Sequence, residues 1–564
     1  MERNRIKEFK EFCKLISPWY VIFALFLGFL CHGSMLFSDA IGIDTEKAIQ
    51  NADAYAIQGR AGVLWIRNLL TAGNFNLYYM EALTFALLVL SPFVFLWLIY
   101  AVTRNEKTVK RAAIPFLAIW IVSPFWVAQL YFLSQSVPVL ITLILLPVAA
   151  YLTDMAANNL KKSWWGICVA VAVIYLSLNV YQLQIVLYAL CVLVIYYLNN
   201  RNAAKTVKEN TGWILINVVT IILGMALYFI ITKLFFFAGQ SYFTSQISWF
   251  SVGIVQGICG ILSWTKFSLL TPSFSKLYMP GCILLLLLSA INLFRDKERR
   301  IGNKIFLLFV EVLIGIIPYV FVIFYGGGIT PRMCYPFPVT EAVVLLLLIS
   351  EAGVFFEHLR AGEKKGLKVL KTVAILLAVV FLIKDVLSLL NVSNKLYYTQ
   401  HYVYQQDVEI AKKVKEDLER YISENGYNPQ EVYEHLVFLG TPQIAYNESC
   451  WPDRGGATIG GSFWEWDNTA SMYRQRIYSV MDLTGNGIQK AYFSPMQEYV
   501  YYYYFEEYFG ETVSQMAFYP SDGYIKYLQD EGTGLQYLVV KLGYDWRDEL
   551  DLNRDWVISQ EQNW

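Results

Sequence analysis

Charge is what this sequence has least of for its length. Of 564 residues, 16% are Asp, Glu, Lys or Arg, while 56% are hydrophobic. An ordinary soluble domain carries about a quarter charged residues. A single soluble core of this size is therefore excluded, because its surface could not be covered. Histidine is scarce too: His32, His358, His401 and His435 are all there is, none in HExxH spacing. The eight cysteines include no CxxC pair, and residues 397–564 hold only Cys450. That segment cannot close an internal disulfide, and no zinc site is expected. No internal repeat is visible, which argues against an inverted-repeat transporter.

Present instead are long apolar runs. A bilayer core is crossed by about 20 residues of helix. Eleven runs fit, roughly 17–37, 79–102, 113–133, 136–153, 164–181, 183–199, 212–232, 277–294, 305–325, 336–356 and 369–390. The first follows Arg3, Arg5, Lys7, Lys10 and Lys14, but Leu30-Cys31-His32-Gly33 offers no A-x-A cleavage site. It reads as a retained helix rather than a signal peptide. The fifth and sixth runs meet at Asn179-Val180-Tyr181-Gln182, a tight outer turn.

Zero net charge conceals an asymmetry. Residues 1–396 hold 33 Lys+Arg against 19 Asp+Glu, and residues 397–564 hold 12 against 26. An apolar, basic half precedes a polar, acidic one, and the acidic half argues against nucleic acid as a partner. With the N-terminus inside, every inner loop is basic, which is the cytoplasmic signature. An odd number of spans then puts the tail outside.

The fold expected is an all-α polytopic membrane domain over 1–396, with about eleven transmembrane helices and outer loops at 38–78 and 233–276. A small extracytoplasmic α/β or α+β domain follows over 397–564. In it, Ala411, Val414, Leu418 and Tyr421 recur at helical spacing, predicting an amphipathic helix over about 405–423. Residues 436–440 and 537–542 read as buried strands.

Chemistry is expected on the outer face. Asp39 lies where the first helix leaves the hydrocarbon and could accept a proton. Asp44, five residues on, could do the same or cap the helix that follows. Arg60 and Arg67 lie seven residues apart, on similar faces of a helix, where they could grip a phosphate in bidentate fashion. Arg332 follows Gly326-Gly327-Gly328 and is a third candidate for that phosphate. The glycines have neither the context nor the spacing of a nucleotide loop. Glu81, Glu311, Glu341 and Glu351 fall within apolar runs, where carboxylates raise a functional question. Glu311 is the deepest; pairing with an inner basic loop is its simplest explanation. Tyr181 and Gln182 at the outer turn, with Trp464 and Trp466 in Phe463-Trp464-Glu465-Trp466-Asp467, are the candidate sugar or acceptor contacts. A second tail cluster surrounds Tyr501-Tyr502-Tyr503-Tyr504-Phe505. Core packing is the alternative for both clusters.

The first outer loop has Asp near its start and Gly59-Arg60 further on. Short inner loops follow, and the tail carries Gly461-Ser462-Phe463-Trp464-Glu465-Trp466-Asp467, then Arg474 or Arg476, then Gly485. In these respects the chain resembles the bacterial Gtr-type membrane glucosyltransferases that decorate O-antigen, and through them the GT-C class. The resemblance implies a sugar, glucose above all, carried on a polyprenyl phosphate. It implies an envelope polysaccharide acceptor, a first-loop carboxylate as base, and residence in the bacterial inner membrane. A flippase and a donor-lipid synthase are the partners such a system uses. The first loop has Asp-x4-Asp rather than a DxD pair, so the resemblance decides neither between Asp39 and Asp44 nor on a divalent cation. Two other classes remain open: a transporter or flippase of lipid-linked sugars, with functional charges deep in its spans, and a non-catalytic envelope glycan assembly protein.

Overall fold

The computed structural model describes the chain except residues 1–4, 51–54, 56–58, 203–207, 236–252, 360–364, 446–460, 467–474, 490–494 and 549–564. Cys450, Arg474 and the side chains of Tyr501–Tyr503 lie outside the described residues. Contacts divide the chain into two compact units. One is Met1–Phe37 with Asp53–Lys395; the other is Ser38–Ala52 with Leu396–Trp564. The start of the first outer loop thus folds with the tail, which nothing local in its sequence announces.

The larger unit is helical. Ten helices among the described residues are long and apolar enough to cross a membrane, or up to eleven if the bent pair Glu106–Val122 and Pro124–Tyr131 is one span. Pro18 starts the first of them at a position where its missing N–H costs nothing, with Ser17 as cap. Asn76 caps Leu77–Thr103 by accepting from the Tyr79 N–H at 2.9 Å. Large apolar side chains such as Leu223, Phe229, Val380 and Phe381 point outward, the arrangement a lipid solvent favours. The helix pair bends by 47° at Ser123-Pro124, where proline removes a backbone donor.

Two segments differ from the hydropathy reading. Trp165–Val180, expected as a span, has 16 residues and is shorter than the others. Conversely, the 233–276 outer loop contains an eighteen-residue apolar helix, Gly253–Leu270. Its apolar residues are diluted by Gly257, Gly260, Ser263, Lys266 and Ser268, which hid it from a hydropathy count. Gly326 and Gly327 pack against it: a Cβ on Gly260 would lie 2.5 Å from the Gly326 carbonyl oxygen. The triple glycine therefore serves a close backbone approach.

The last apolar run continues without a break into the amphipathic segment, giving one helix, Lys365–Glu424. In the smaller unit, Ala411, Val414 and Leu418 bury the face their spacing predicts. Beside them is a three-stranded sheet of β1 (Leu436–Leu439), β2 (Ile525–Gln529) and β3 (Gln536–Lys541), in the order β1-β3-β2. β1 is parallel to β3 and β2 antiparallel to it. Alternation along the strands divides the core. Leu436, Phe438, Leu538 and Val540 face Val414, Leu418 and Trp464, while Val437, Leu439 and Val539 face Phe505, Phe509 and Trp546.

Candidate functional site

The helices of the larger unit have two chemically different ends. At one, Glu8 pairs with Arg104, Arg299 donates to the carbonyls of Asn200 and Arg201 at 2.7 and 2.9 Å, and Arg201 forks onto Glu351 at 2.6 and 3.0 Å. Glu351 also accepts from Asn292 at 2.7 Å and Tyr197 at 3.0 Å. The basic loops gather here, and Glu351 rather than Glu311 takes the basic partner. Glu311 accepts from Ser289 nearby.

The opposite end holds the sequence candidates of this unit. Gly59, at φ 70°, turns the chain into Ala61–Thr71, and its carbonyl accepts from the Tyr228 hydroxyl at 3.2 Å. Tyr228 in turn accepts from the Gln182 side chain at 2.9 Å. Gly62 packs against the end of Trp165–Val180, where a Cβ would stand 3.0 Å from that of Asn179. This close approach carries Arg60 over the ring of Tyr181, 5.1 Å from its centroid. The Arg60 Nε is buried and has no hydrogen-bond partner among the described residues. Arg60, Tyr181 and Gln182, chosen separately from sequence, thus form one cluster with Tyr228.

From Tyr181 a column of rings runs inward. Tyr181 stacks on Tyr335 at 6.2 Å, Tyr335 on Trp126 at 5.7 Å, and Trp126 on Trp120 at 6.2 Å. Sequence reasoning missed this column because its members come from three distant segments. The bend at Ser123-Pro124 turns Trp126 into it. Arg332 repeats the Arg60 arrangement, its guanidinium 4.4 Å from the Phe132 centroid. Arg67 does not join Arg60 on Tyr181; it is 4% exposed and lies over Phe75 at 5.9 Å.

A second cleft is lined by Phe274, Phe337, Tyr319, Ser275 and Glu341. There the Ser275 hydroxyl lies against both Glu341 and Asp385, at 2.7 Å from the latter. Glu81 is buried, one oxygen without a partner among the described residues.

The first-loop carboxylates belong to the smaller unit. Asp39 is exposed in an irregular stretch. Asp44 stands at the cap position of Thr45–Ile49, at φ 68°, but makes no capping hydrogen bond. The cap expectation is corrected: Asp44 accepts from the Arg476 guanidinium at 2.8 Å. The other arm of that guanidinium reaches Glu46 at 2.6 Å. Glu46 is wholly buried and its second oxygen has no hydrogen-bond partner among the described residues. Burial pushes its carboxyl up to about 7, against a smaller opposing pull from Arg476. Glu46 and Arg476 form a buried ion pair that sequence spacing could not reveal.

Trp464 is also corrected. It is wholly buried, donates to the Asp407 carbonyl at 3.3 Å, and presents no face to a sugar. Ser462 caps its turn and bonds Asp407 at 2.7 Å, so the aromatic motif is a plug in the core. Trp466 is half-buried beside Phe463. Among the described residues no three His, Cys, Asp or Glu side chains converge on a metal position.

Neither the curated proteins nor the solved structures contain a match to this chain. The model of the family described as glucosyl transferase GtrII matches residues 33–350, which include Asp39, Arg60, Tyr181 and Arg332. That match covers more than half of the sequence, from the end of the first span through the ring column to the middle of Pro336–Leu359, and the chain belongs to the GtrII glucosyl transferase family.

Proposed function

We propose that this multi-pass membrane glucosyltransferase takes glucose from a polyprenyl phosphate and transfers it to an envelope polysaccharide outside the cytoplasm. Arg60 is the observation that carries the donor assignment. A guanidinium held over an aromatic face can still offer N–H groups to a planar, bidentate anion, and the Arg60 Nε is buried without a hydrogen-bond partner among the described residues. Arg332 on Phe132 is a second cation of the same build, and Arg67, buried over Phe75, is the third proposed phosphate ligand. A lipid phosphate reaches such an end of a helix bundle from the bilayer.

In the proposed step, an acceptor hydroxyl attacks the anomeric carbon and its C–O bond forms. The bond from that carbon to the phosphate oxygen breaks on the opposite face, and polyprenyl phosphate leaves with the electron pair. The arginines stabilise the charge that develops on it. The acceptor proton passes to a first-loop carboxylate. Asp39 is the proposed acceptor of that proton; Asp44 is the second candidate, with its oxygen engaged by Arg476. Tyr181, Gln182 and Trp466 are proposed sugar or acceptor contacts. A flippase and a donor-lipid synthase would supply the substrate.

The inner membrane, with the N-terminus cytoplasmic, is the proposed location. The basic loops gathered at one end support it. Thr211–Phe235 starts beside Asn200 and has Tyr228 near its far end, while Tyr278–Arg295 starts beside Phe337 and finishes at the basic end. Thr211–Phe235 therefore ends, and Tyr278–Arg295 begins, away from the basic end, which supports the reading of eleven passages and a tail outside.

The test uses full-length protein in membranes with polyprenyl-phosphate glucose. Arg60→Ala is expected to lower kcat/KM for the donor at least about tenfold, with Arg60→Lys recovering only part, since a point charge loses the fork. Unchanged donor use in Arg60→Ala would remove the phosphate assignment.

A further inference from the structure

The cleft beside Glu341 lies at the end of the bundle away from the basic side chains, where Tyr278–Arg295 starts against Phe337. Its free volume is about 70 Å³, room for several water molecules. Phe274 and Phe337 form apolar walls, and Ser268, Ser273, Ser275 and Glu341 bring polar groups to the same space. An apolar cavity with a few convergent polar groups is the usual build of a small-molecule site.

The polar groups are short of hydrogen. Glu341 is 7% exposed and Asp385 6%. The Ser275 hydroxyl touches an oxygen of Glu341 and lies 2.7 Å from Oδ2 of Asp385. The Lys276 backbone N–H donates to Oδ1 of Asp385 at 2.9 Å. The lysine side chain is engaged elsewhere, its Nζ donating to the carbonyls of Leu269 and Thr271, both at 2.9 Å. Among the described residues neither carboxylate forms an ion pair. A hydroxyl has one hydrogen to give, so Ser275 satisfies one of the two acids and the group is a donor short. Leaving a buried carboxylate short of donors is unfavourable. An amide at either position would repair the deficit at the same shape, yet two acids stand there.

The missing donor describes the ligand. Two carboxylates repel an anion, so the lipid phosphate does not belong in this cleft. A metal ion would call for more ligands, and among the described residues no three His, Cys, Asp or Glu side chains converge. An uncharged molecule bearing hydroxyls supplies the donors, matches the serines and is tolerated by the phenyl walls. We propose that the cleft takes one terminal sugar unit of the acceptor polysaccharide, with Glu341 accepting hydrogen bonds from its hydroxyls and Asp385 holding Ser275 in place behind it. This assignment rests on glucosyl transfer by this chain, with the donor phosphate at Arg60 and Arg332. The acids exclude that phosphate and leave the cleft to the second substrate.

The experiment takes full-length protein in lipid nanodiscs, as wild type, Glu341→Gln and Asp385→Asn. Thermal unfolding is followed alone, with envelope polysaccharide, with polyprenyl-phosphate glucose, and with sodium chloride replacing choline chloride at equal ionic strength. Transfer kinetics give a KM for each substrate. Without ligand, both amide variants are expected to unfold at or above the wild-type temperature, since each amide brings the missing donor. Polysaccharide is expected to protect wild type but not Glu341→Gln, while polyprenyl-phosphate glucose protects both. The KM for polysaccharide should rise at least about tenfold in Glu341→Gln, and less in Asp385→Asn, with kcat and the donor KM little changed. Unchanged polysaccharide KM and protection in Glu341→Gln would overturn the assignment, as would a wild type protected by sodium, or by nothing, rather than by polysaccharide. Amide variants that fail to fold, or that lose donor and acceptor binding alike, would make the acids structural and overturn it too. A wild type that transfers no glucose, yet is protected by polysaccharide where Glu341→Gln is not, would remove glucosyl transfer and leave the sugar site standing.

Discussion

Arg60 and Arg332 meet the same physical problem in the same way. An arginine at the end of a membrane helix would ordinarily turn toward water or a headgroup. Each is instead laid over a ring, Tyr181 or Phe132, a contact worth about 0.5–2 kcal/mol that holds the guanidinium before any ligand arrives. The carboxylates are held differently. Asp44 is engaged by Arg476 and Asp39 is exposed. Asp39→Asn is therefore expected to lose at least about a hundredfold in transfer rate, the low end for general-base catalysis, at unchanged expression. Asp44→Asn keeps an acceptor for Arg476 and is expected to cost less. A radiolabelled glucose transfer assay separates the two; the reverse order would exchange their roles.

Glu46 makes a pH prediction at the same scale. Its carboxyl is raised from 4.5 to about 7, by burial first, with Arg476 opposing. Below about pH 4.5 the group is protonated whether folded or unfolded, and its burial carries no charge penalty. As pH rises toward 7 the unfolded chain ionises first, so folding stability falls, by on the order of 3 kcal/mol in all. Glu46→Gln removes that dependence. Thermal unfolding of the full chain between pH 4.5 and 7.5 should show a steeper decline in wild type than in the variant; parallel curves would contradict the burial argument.

At the scale of elements, close approach does more than sequence pattern. Gly62 lets Ala61–Thr71 lie against the end of Trp165–Val180, and the contact it would violate includes the Asn179 backbone. Backbone cannot swing aside as a side chain can. Gly62→Ala is expected to destabilise by about 1–3 kcal/mol and to raise the donor KM by moving Arg60 off Tyr181. A variant with normal melting and normal KM would refute that account of the turn. Long apolar runs were legible because hydropathy alone separates lipid-facing helix from loop. Gly253–Leu270 was not, since glycine, serine and lysine lower its average while a neighbouring backbone uses the same glycines. β1 and β3 were legible as continuous apolar runs. β2, with Lys526, Tyr527 and Gln529, fully buries only Ile525 and Leu528 and gives a weaker signal. Tyr181, Tyr335 and Trp126 were individually visible as aromatics, but their stacking is a tertiary fact. Arg476 reaches Asp44 and Glu46 across some 430 residues, a separation that no local pattern spans.

The whole molecule divides its labour by solvent. The membrane unit exposes apolar faces, gathers basic side chains at one end, and places Arg60, Arg332 and stacked rings at the other. The smaller unit contains a small sheet with its own two-sided core, and residues 38–52 belong to it. That membership makes the first outer loop a structural part of the tail unit as well as the bearer of Asp39. Purified full-length protein in nanodiscs, given polyprenyl-phosphate glucose and envelope polysaccharide, measures the central claim directly. The account predicts one polyprenyl phosphate released for each glucose transferred, and loss of both in Arg60→Ala. Transfer from UDP-glucose with release of UDP, and none from the lipid donor, would contradict it.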